Sequence, residues 1–427
     1  MYKNTFWIAI YFVKLIEGTL PMKTIILSLM IIINVNASEN NSIYTWNNFI
    51  QKALDVSFSI KQDDAQILIE KEKITQSTLL ENPTFAMAFD DGLEGGVDYT
   101  YLEVSQKLPT WGENDSKKKI AKFESEHAFK TKQKRVLQVQ YKAALLFQKL
   151  HTLKVQFSIL EEQLKKVKLL EKISMKREAS GDISGLEPLR INIMKQQVIT
   201  KIKSLESRYL KVQLEAQSLL HVEGEVIVSG EYMKSQNVQV NELIKSLEQS
   251  PEYLQSKNEL QVAKEKLVLT KAMRYASPEL YMYSERDFNR NNQVDDFYGV
   301  GFRIAVPLWN RQESQIQMNN VQIQKSNLKY QEVLYKLQRD VKGYYELYTN
   351  KLNQLEDYEK NLLKPAKKYY EVNTFSFEFG EVSLLELLDA QTLYLQSQLE
   401  YQDFVAQSNF YWLQLCDAAS INLLKDN

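Results

Sequence analysis

The sequence predicts an α+β chain made twice over from one module, a β-hairpin followed by long coiled-coil helices. Three observations carry that reading. Pro109-Thr110-Trp111-Gly112-Glu113 is answered by Pro307-Leu308-Trp309-Asn310-Arg311, and Gly181-Asp182-Ile183-Ser184-Gly185-Leu186-Glu187 by Gly380-Glu381-Val382-Ser383-Leu384-Leu385-Glu386. The two offsets are 198 and 199 residues, so the repeating unit is far longer than the roughly 20–50 residues of a solenoid repeat. The composition is that of long helices: 427 residues include only 13 glycines and 8 prolines, while Lys, Glu, Gln and Leu abound. Finally, Leu146, Leu150, Leu153, Phe157, Leu160, Leu164 and Val167 step by fours and threes, the rhythm of knobs-into-holes packing.

The elements follow in order. Met22-Lys23-Thr24, the apolar run from Ile25 to Ile33 and the small-residue site Val35-Asn36-Ala37 predict a secretory signal peptide over 1–37, too short to span a bilayer as a helix. Met22 is the expected start, with 1–21 an upstream extension. No cysteine follows the cleavage site, so no lipid anchor is expected there.

The first repeat covers 38–221. Trp46, Phe49, Ile50, Ala53 and Leu54 begin a helical pattern that runs to Leu80, and Asn82-Pro83 ends it, because proline disfavours the helical conformation in the residue before it. A hairpin is predicted over 84–108. Phe85, Met87 and Phe89 alternate with smaller residues, Asp91-Gly92 and Gly95-Gly96 mark the loop, and Leu102, Val104 and Leu108 oppose Glu103, Ser105 and Lys107. A helix over 113–180, on the order of 100 Å long at 1.5 Å per residue, turns at Gly181. A second, over 184–220, returns with Leu205, Tyr209, Val212, Ala216 and Leu219 in heptad steps.

Residues 222–240, with Gly224, Gly230 and the β-like Val226-Ile227-Val228, form a linker. The second repeat, 241–420, keeps the order. A helix from Asn241 to Ala276 is stopped by Ser277-Pro278. The hairpin over 279–306 follows, in which Tyr298, Val300, Phe302, Ile304 and Val306 alternate with Gly299, Gly301, Arg303 and Ala305. A helix over 311–377 carries Leu334, Leu337, Val341, Tyr344 and Tyr348 in heptad steps. The turn at Gly380, a last helix over 383–419 and a tail, 421–427, complete the chain.

Several function classes lack support. The net charge of -1, with basic and acidic residues interleaved, offers nothing to nucleic acid. His127, His151 and His221 lie too far apart for metal-ligand spacing. There is no phosphate-binding glycine loop, nucleophile elbow or distinct carboxylate pair. The lone Cys416 reads as a core thiol. Neither enzyme nor cofactor is expected.

Beyond the signal no run of 18 apolar residues occurs, so a membrane could be crossed only by strands. The predicted strands, of roughly 9–10 residues, have the length to cross a bilayer when tilted. Four strands cannot close a barrel, and open sheet edges are not tolerated in lipid, so strands in a membrane would have to be shared among several chains. The alternative is a small soluble sheet packed on the helices.

Over essentially the whole mature length the chain resembles the TolC family of outer membrane efflux proteins. The resemblance is most specific at Val306-Pro307-Leu308-Trp309-Asn310-Arg311 and from Gly380 to Gln391. The first stretch is similar to the branch serving heavy-metal cation efflux, with Glu313-Ser314 in place of a glycine usual there. The resemblance implies a homotrimer in the outer membrane of a Gram-negative bacterium. Each chain would give two hairpins to a 12-stranded β-barrel and its helices to a periplasmic α-barrel. The tip would meet a periplasmic adaptor protein coupled to an inner-membrane pump of the RND type. Gly181, Asp182, Ile183, Gly380, Glu381, Val382 and Ser383 become adaptor-contact residues, and Glu386, Asp389 and Glu187 pore-entrance carboxylates. Phe85, Phe89, Tyr99, Tyr281, Tyr283, Phe297, Tyr298 and Phe302 are the expected barrel-face or interface aromatics. Rival readings are a periplasmic adaptor, a type I secretion duct and a soluble coiled-coil scaffold.

Overall fold

The computed structural model describes residues 42–91, 97–109, 112–181, 184–230, 239–288 and 294–424. The expected signal peptide, the loop glycines Gly92, Gly95 and Gly96, Trp111, and the tip residues Asp182 and Ile183 lie outside the described residues.

In chain order the elements are β1 (Ser42–Tyr44), α1 (Trp46–Val56), α2 (Phe58–Gln76), β2 (Thr84–Asp91), β3 (Val97–Lys107), α3 (Glu113–Ala179), α4 (Leu186–Leu220), β4 (Val226–Val228), α5 (Val240–Ser246), α6 (Pro251–Ala272), β5 (Pro278–Phe288), β6 (Val294–Ile304), α7 (Glu313–Tyr358), α8 (Lys364–Glu378) and α9 (Leu384–Ala418). A short 3-10 turn (Leu247–Gln249) precedes α6, and a π turn (Glu359–Leu363) joins α7 to α8.

Chain connectivity and packing order agree. Near the sheet the helices lie side by side as α2, α3, α6, α7. The strands that continue them stand in the same order, β2-β3-β5-β6. Further along, α4 packs on α3, α3 on α9, and α9 on α7 and α8. Each helix thus has a neighbour on both sides except at the two flanks, formed by α2 and α4 on one side and by α7 and α8 on the other.

The heptad residues form the seams. Leu146, Leu150, Leu153, Leu160 and Val167 on α3 are buried, as are Leu205 and Ala216 on α4 and Leu337, Val341 and Tyr348 on α7. At mid-height a belt core joins both repeats. Phe147 meets Trp46 and Phe49 edge-on at 5.5 and 5.7 Å, within a cluster that includes Val341, Trp412 and Leu415. Strand β4, the β-like stretch of the linker, closes this belt by pairing in parallel with β1, from Ser42↔Val226 to Tyr44↔Val228. The expected tail is part of the same core. Leu423 is buried, its N–H donates to Gln140 Oε1 at 3.3 Å, and Tyr141 donates its hydroxyl to the carbonyls of Cys416 and Ile421.

Three helices expected to be continuous are broken. The first divides at Ser57, whose backbone is extended. In the second repeat Ser250-Pro251 restarts the helix: Ser250 Oγ accepts the N–H of Tyr253 at 3.3 Å and proline takes the first helical position, where its missing N–H costs nothing. The third break is the π turn at 359–363. Pro365 has no N–H for the carbonyl of Asn361 and would clash with it in a regular helix, and the widened turn immediately before it relieves that conflict.

Candidate functional site: the sheet and the helical tips

Strands β3, β5 and β6 have 11 residues each and β2 has 8, the range that crosses a bilayer when tilted. All pairings are antiparallel, with Val104 between Phe85 and Met282, and Met282 opposite Val300. This register collects Phe85, Met87, Phe89, Val104, Leu280, Met282, Tyr298, Val300, Phe302 and Ile304 on one face. Every one of them is exposed, with Tyr298, Val300 and Phe302 at 75%. The sheet's substantial contacts are strand to strand, and among the described residues no helix covers this face. A soluble sheet packed on helices is therefore not what forms. A broad, uncovered apolar face of this kind is a contact surface for lipid or protein.

The eight aromatics expected on the barrel face or at its interface divide between the two faces of the sheet. Phe85, Phe89, Tyr298 and Phe302 share the apolar face, whereas Tyr99, Tyr281, Tyr283 and Phe297 stand on the opposite one. The reason is register: side chains alternate strictly along a strand, and Tyr281 and Tyr283 are in phase with Glu279 and Glu285.

That opposite face carries a feature the sequence reading missed. Tyr281 lies across Gly301 and Tyr283 across Gly299, so that a Cβ at either glycine would overlap a ring. Tyr99 stacks on Tyr101 at 6.4 Å and Tyr101 on Tyr283 at 5.8 Å. Arg303 bonds Glu279 at 3.0 Å and Glu103 at 3.2 Å, and its guanidinium sits 4.9 Å over the Tyr281 ring. Tyr101 also donates its hydroxyl to Glu103, which is buried. The signal was legible: Tyr-x-Tyr on β5 against Gly-x-Gly on β6 is a glycine face covered by cross-strand aromatics. Among the described residues this face holds the carboxylates of Asp90, Glu103, Glu279, Glu285, Asp287 and Asp295 against the cations Lys107 and Arg303.

At the far end of the helices the two turns lie together. Val167 of α3, Ile191 and Met194 of α4, and Leu384 and Leu388 of α9 form one cluster. Gly181 and Gly380 both adopt positive φ, +81° and +76°, with nothing within 4 Å of a Cβ, so glycine serves the left-handed cap and not a close contact. After Gly380, the N–H of Glu381 reaches the Ser376 carbonyl at 2.9 Å. Ser383 and Glu386 then form a capping box: Ser383 Oγ accepts the N–H of Glu386 at 3.3 Å, and Glu386 Oε2 accepts the N–H of Ser383 at 2.8 Å. These bonds hold the Glu386 carboxyl below its ordinary range. Glu386 and Asp389 are exposed beside the buried Leu387 and Leu388, Glu187 is half-buried in the first turn of α4, and Val382 is half-buried.

The remaining singled-out residues belong to the core or its margins. Cys416 is fully buried, and burial pushes its thiol up to about 12. Burial also lowers His151 below the usual imidazole value, and the His221 ring packs on Phe58 at 4.7 Å. Trp309, between β6 and α7, is 94% exposed.

No family model matches the sequence, and no curated protein does. Solved structures do. CusC is 15% identical with a TM-score of 0.70, over 91% of this chain and 95% of that one. VceC, an outer membrane protein from Vibrio cholerae, is 15% identical with a TM-score of 0.70, over 88% and 95%. The open state of the Neisseria gonorrhoeae MtrE outer membrane channel is 11% identical with a TM-score of 0.70, over 89% and 90%. At these identities the likeness is one of architecture, and it extends over nearly the whole of each chain: this chain has the fold of these outer membrane channels.

Proposed function

We propose that this chain is the outer-membrane exit duct of an efflux or secretion system, assembled as a homotrimer and conducting cargo passively without catalysis or cofactor. The observation that carries the reading is the sheet: one face apolar and exposed over most of its height, with the Arg286–Asp296 pair at its loop end, the other charged, and both edges, β2 and β6, open. Open edges in hydrocarbon leave backbone donors and acceptors without partners. Pairing β6 of one copy with β2 of the next satisfies them, and three copies give a closed barrel of 12 strands with lipid outside and the tyrosine face inside.

The helical flanks support the same head-to-tail contact, which forms a ring when its rotation closes. Leu210 and Leu214 of α4 are exposed on one flank, Leu328 and Tyr335 of α7 on the other. Trp309, at the strand–helix junction, suits the aromatic belt of the membrane interface. The joined tips would then face the periplasm. There Gly181, Gly380, Glu381, Val382 and Ser383, with Asp182 and Ile183, would meet a periplasmic adaptor fed by an inner-membrane pump of the RND type. Glu187, Glu386 and Asp389 of three copies would make the entrance attractive to cations. The likeness of Val306–Arg311 to the heavy-metal branch supports metal cations among the cargo, tested by whether deletion sensitises cells to copper, silver, zinc or cobalt salts. Its failure would leave the duct standing.

The duct itself is tested by the mass of detergent-extracted protein from purified outer membranes. Three chain masses are expected, and a soluble periplasmic monomer would overturn the reading.

A further inference from the structure

The tyrosine face supports a step beyond conduction. We propose that the β3–β5 tyrosine ladder is a transit site for organic cations that bear an aromatic ring. The inference rests on the duct reading, which places this face in the lumen.

Three features of the face fit that ligand class. Tyr99, Tyr101, Tyr283 and Tyr281 form a run of neighbouring rings, with centroids 5.8 to 6.4 Å apart, and all four are half-exposed on the open side of the sheet. Beyond the ladder, β2 presents the small Ala86 and Ala88, while Gly299 and Gly301 of β6 let the Tyr283 and Tyr281 rings lie flat across them. In a closed trimer, three aromatic ridges would therefore alternate with three shallow valleys in which a planar group can lie against a ridge. The rings already accept a cation, since the Arg303 guanidinium covers Tyr281 at 4.9 Å.

The surrounding charge sets the sign of the ligand. Six carboxylates oppose two cations on the described part of this face, and Tyr99 stands between Asp90 and Asp287 in the register, so a cation bound at Tyr99 lies next to a carboxylate. A small hydrated metal ion feels the carboxylates alone. A quaternary ammonium on an aromatic ring gains from three sources at once: the field, cation–π attraction and ring stacking. Each contribution is modest, which suits a duct, because a passing cargo must leave as readily as it enters.

The test is single-channel block of the full-length protein in planar bilayers. Three water-soluble probes separate charge from ring: benzyltrimethylammonium, tetramethylammonium and benzenesulfonate. Benzyltrimethylammonium is expected to block about tenfold more strongly than either of the others. Tyr99→Leu spares the rings that cover the glycines, and should weaken that block roughly three- to tenfold, weaken tetramethylammonium block by a smaller factor, and leave potassium conductance within about twofold. Tyr99→Phe should keep the block, and Glu285→Gln should weaken both cations alike. A conducting pore that benzyltrimethylammonium blocks no better than tetramethylammonium, or whose block Tyr99→Leu leaves unchanged, overturns the ladder and spares the duct. A protein that forms no conducting pore overturns both.

Discussion

The two repeats share an order of elements and differ where the chain must bend. In the first, α3 runs 67 residues without a break. In the second the corresponding stretch is interrupted by the π turn at 359–363, directly before Pro365. The turns at the tips differ in the opposite sense. The second is locked by the Ser383–Glu386 capping box, whereas no side chain caps α4 in the first, and Ser184 Oγ only reaches the Leu186 N–H at 3.4 Å. One hairpin is thus unbroken along its length with a loosely capped tip, and the other is jointed between the belt core and a tightly capped tip. Duplication supplied the helices, and local substitutions gave each copy its own mechanics.

The comparison holds only if both hairpins hang from one core, and the largest expected effect tests that. Phe147 is fully buried among side chains of both repeats, so Phe147→Ala should cost about 3–5 kcal/mol. The loss should appear as one lowered melting transition in detergent. Two separate transitions, with the α7–α9 half unaffected, would mean that the repeats are independent bodies.

The tips provide a smaller and sharper contrast. Ser383→Ala should cost about 1 kcal/mol and speed amide exchange at 384–390, while Ser184→Ala should leave 186–192 nearly unchanged. Equal responses at the two tips would remove the asymmetry. Acid should reproduce the effect. The Glu386 carboxyl is held below its ordinary value of 4.5, so its contribution is complete above that value and is lost as pH falls through the depressed one. Exchange at 384–390 should therefore accelerate below about pH 4.5 in the native chain. In Glu386→Gln, which keeps an acceptor but has no carboxyl to titrate, that acceleration should be absent.

Much of this architecture was legible in the heptads, because a residue such as Leu150 or Val167 has no other use for its position than the seam in which it is buried. The hairpins were legible for the same reason, through alternation. What alternation alone did not convey was the significance of the tyrosines. Tyr281 and Tyr283 look like membrane-face aromatics until the register sets them over Gly301 and Gly299, and pairing between strands is a non-local fact. Of the β1–β4 pair only the β-like Val226-Ile227-Val228 was legible, because its partner, Ser42–Tyr44, lies more than 180 residues away and carries no pattern of its own. At the tips the glycines marked the turns, but they did not reveal that Glu386 spends one carboxylate oxygen on its own helix.

The joint in the second hairpin is the subtlest difference, and hydrogen exchange can measure it directly. Local opening is easiest where backbone hydrogen bonds are irregular and few buried side chains hold them. No residue of the π turn is buried, whereas the matching stretch of α3, 161–165, carries the buried Gln163. Amides from 361 to 368 should therefore exchange about tenfold faster than those from 163 to 170, although both lie within helices of the same wall. Pro365→Ala restores an N–H for the carbonyl of Asn361 and removes the ring's clash, so it should narrow that ratio while moving the melting temperature little. Equal protection of the two stretches in the native chain would mean that the π turn is as rigid as regular helix and that the second hairpin has no joint. A difference that persists in Pro365→Ala would place its cause in the absence of buried partners around the turn, not in proline.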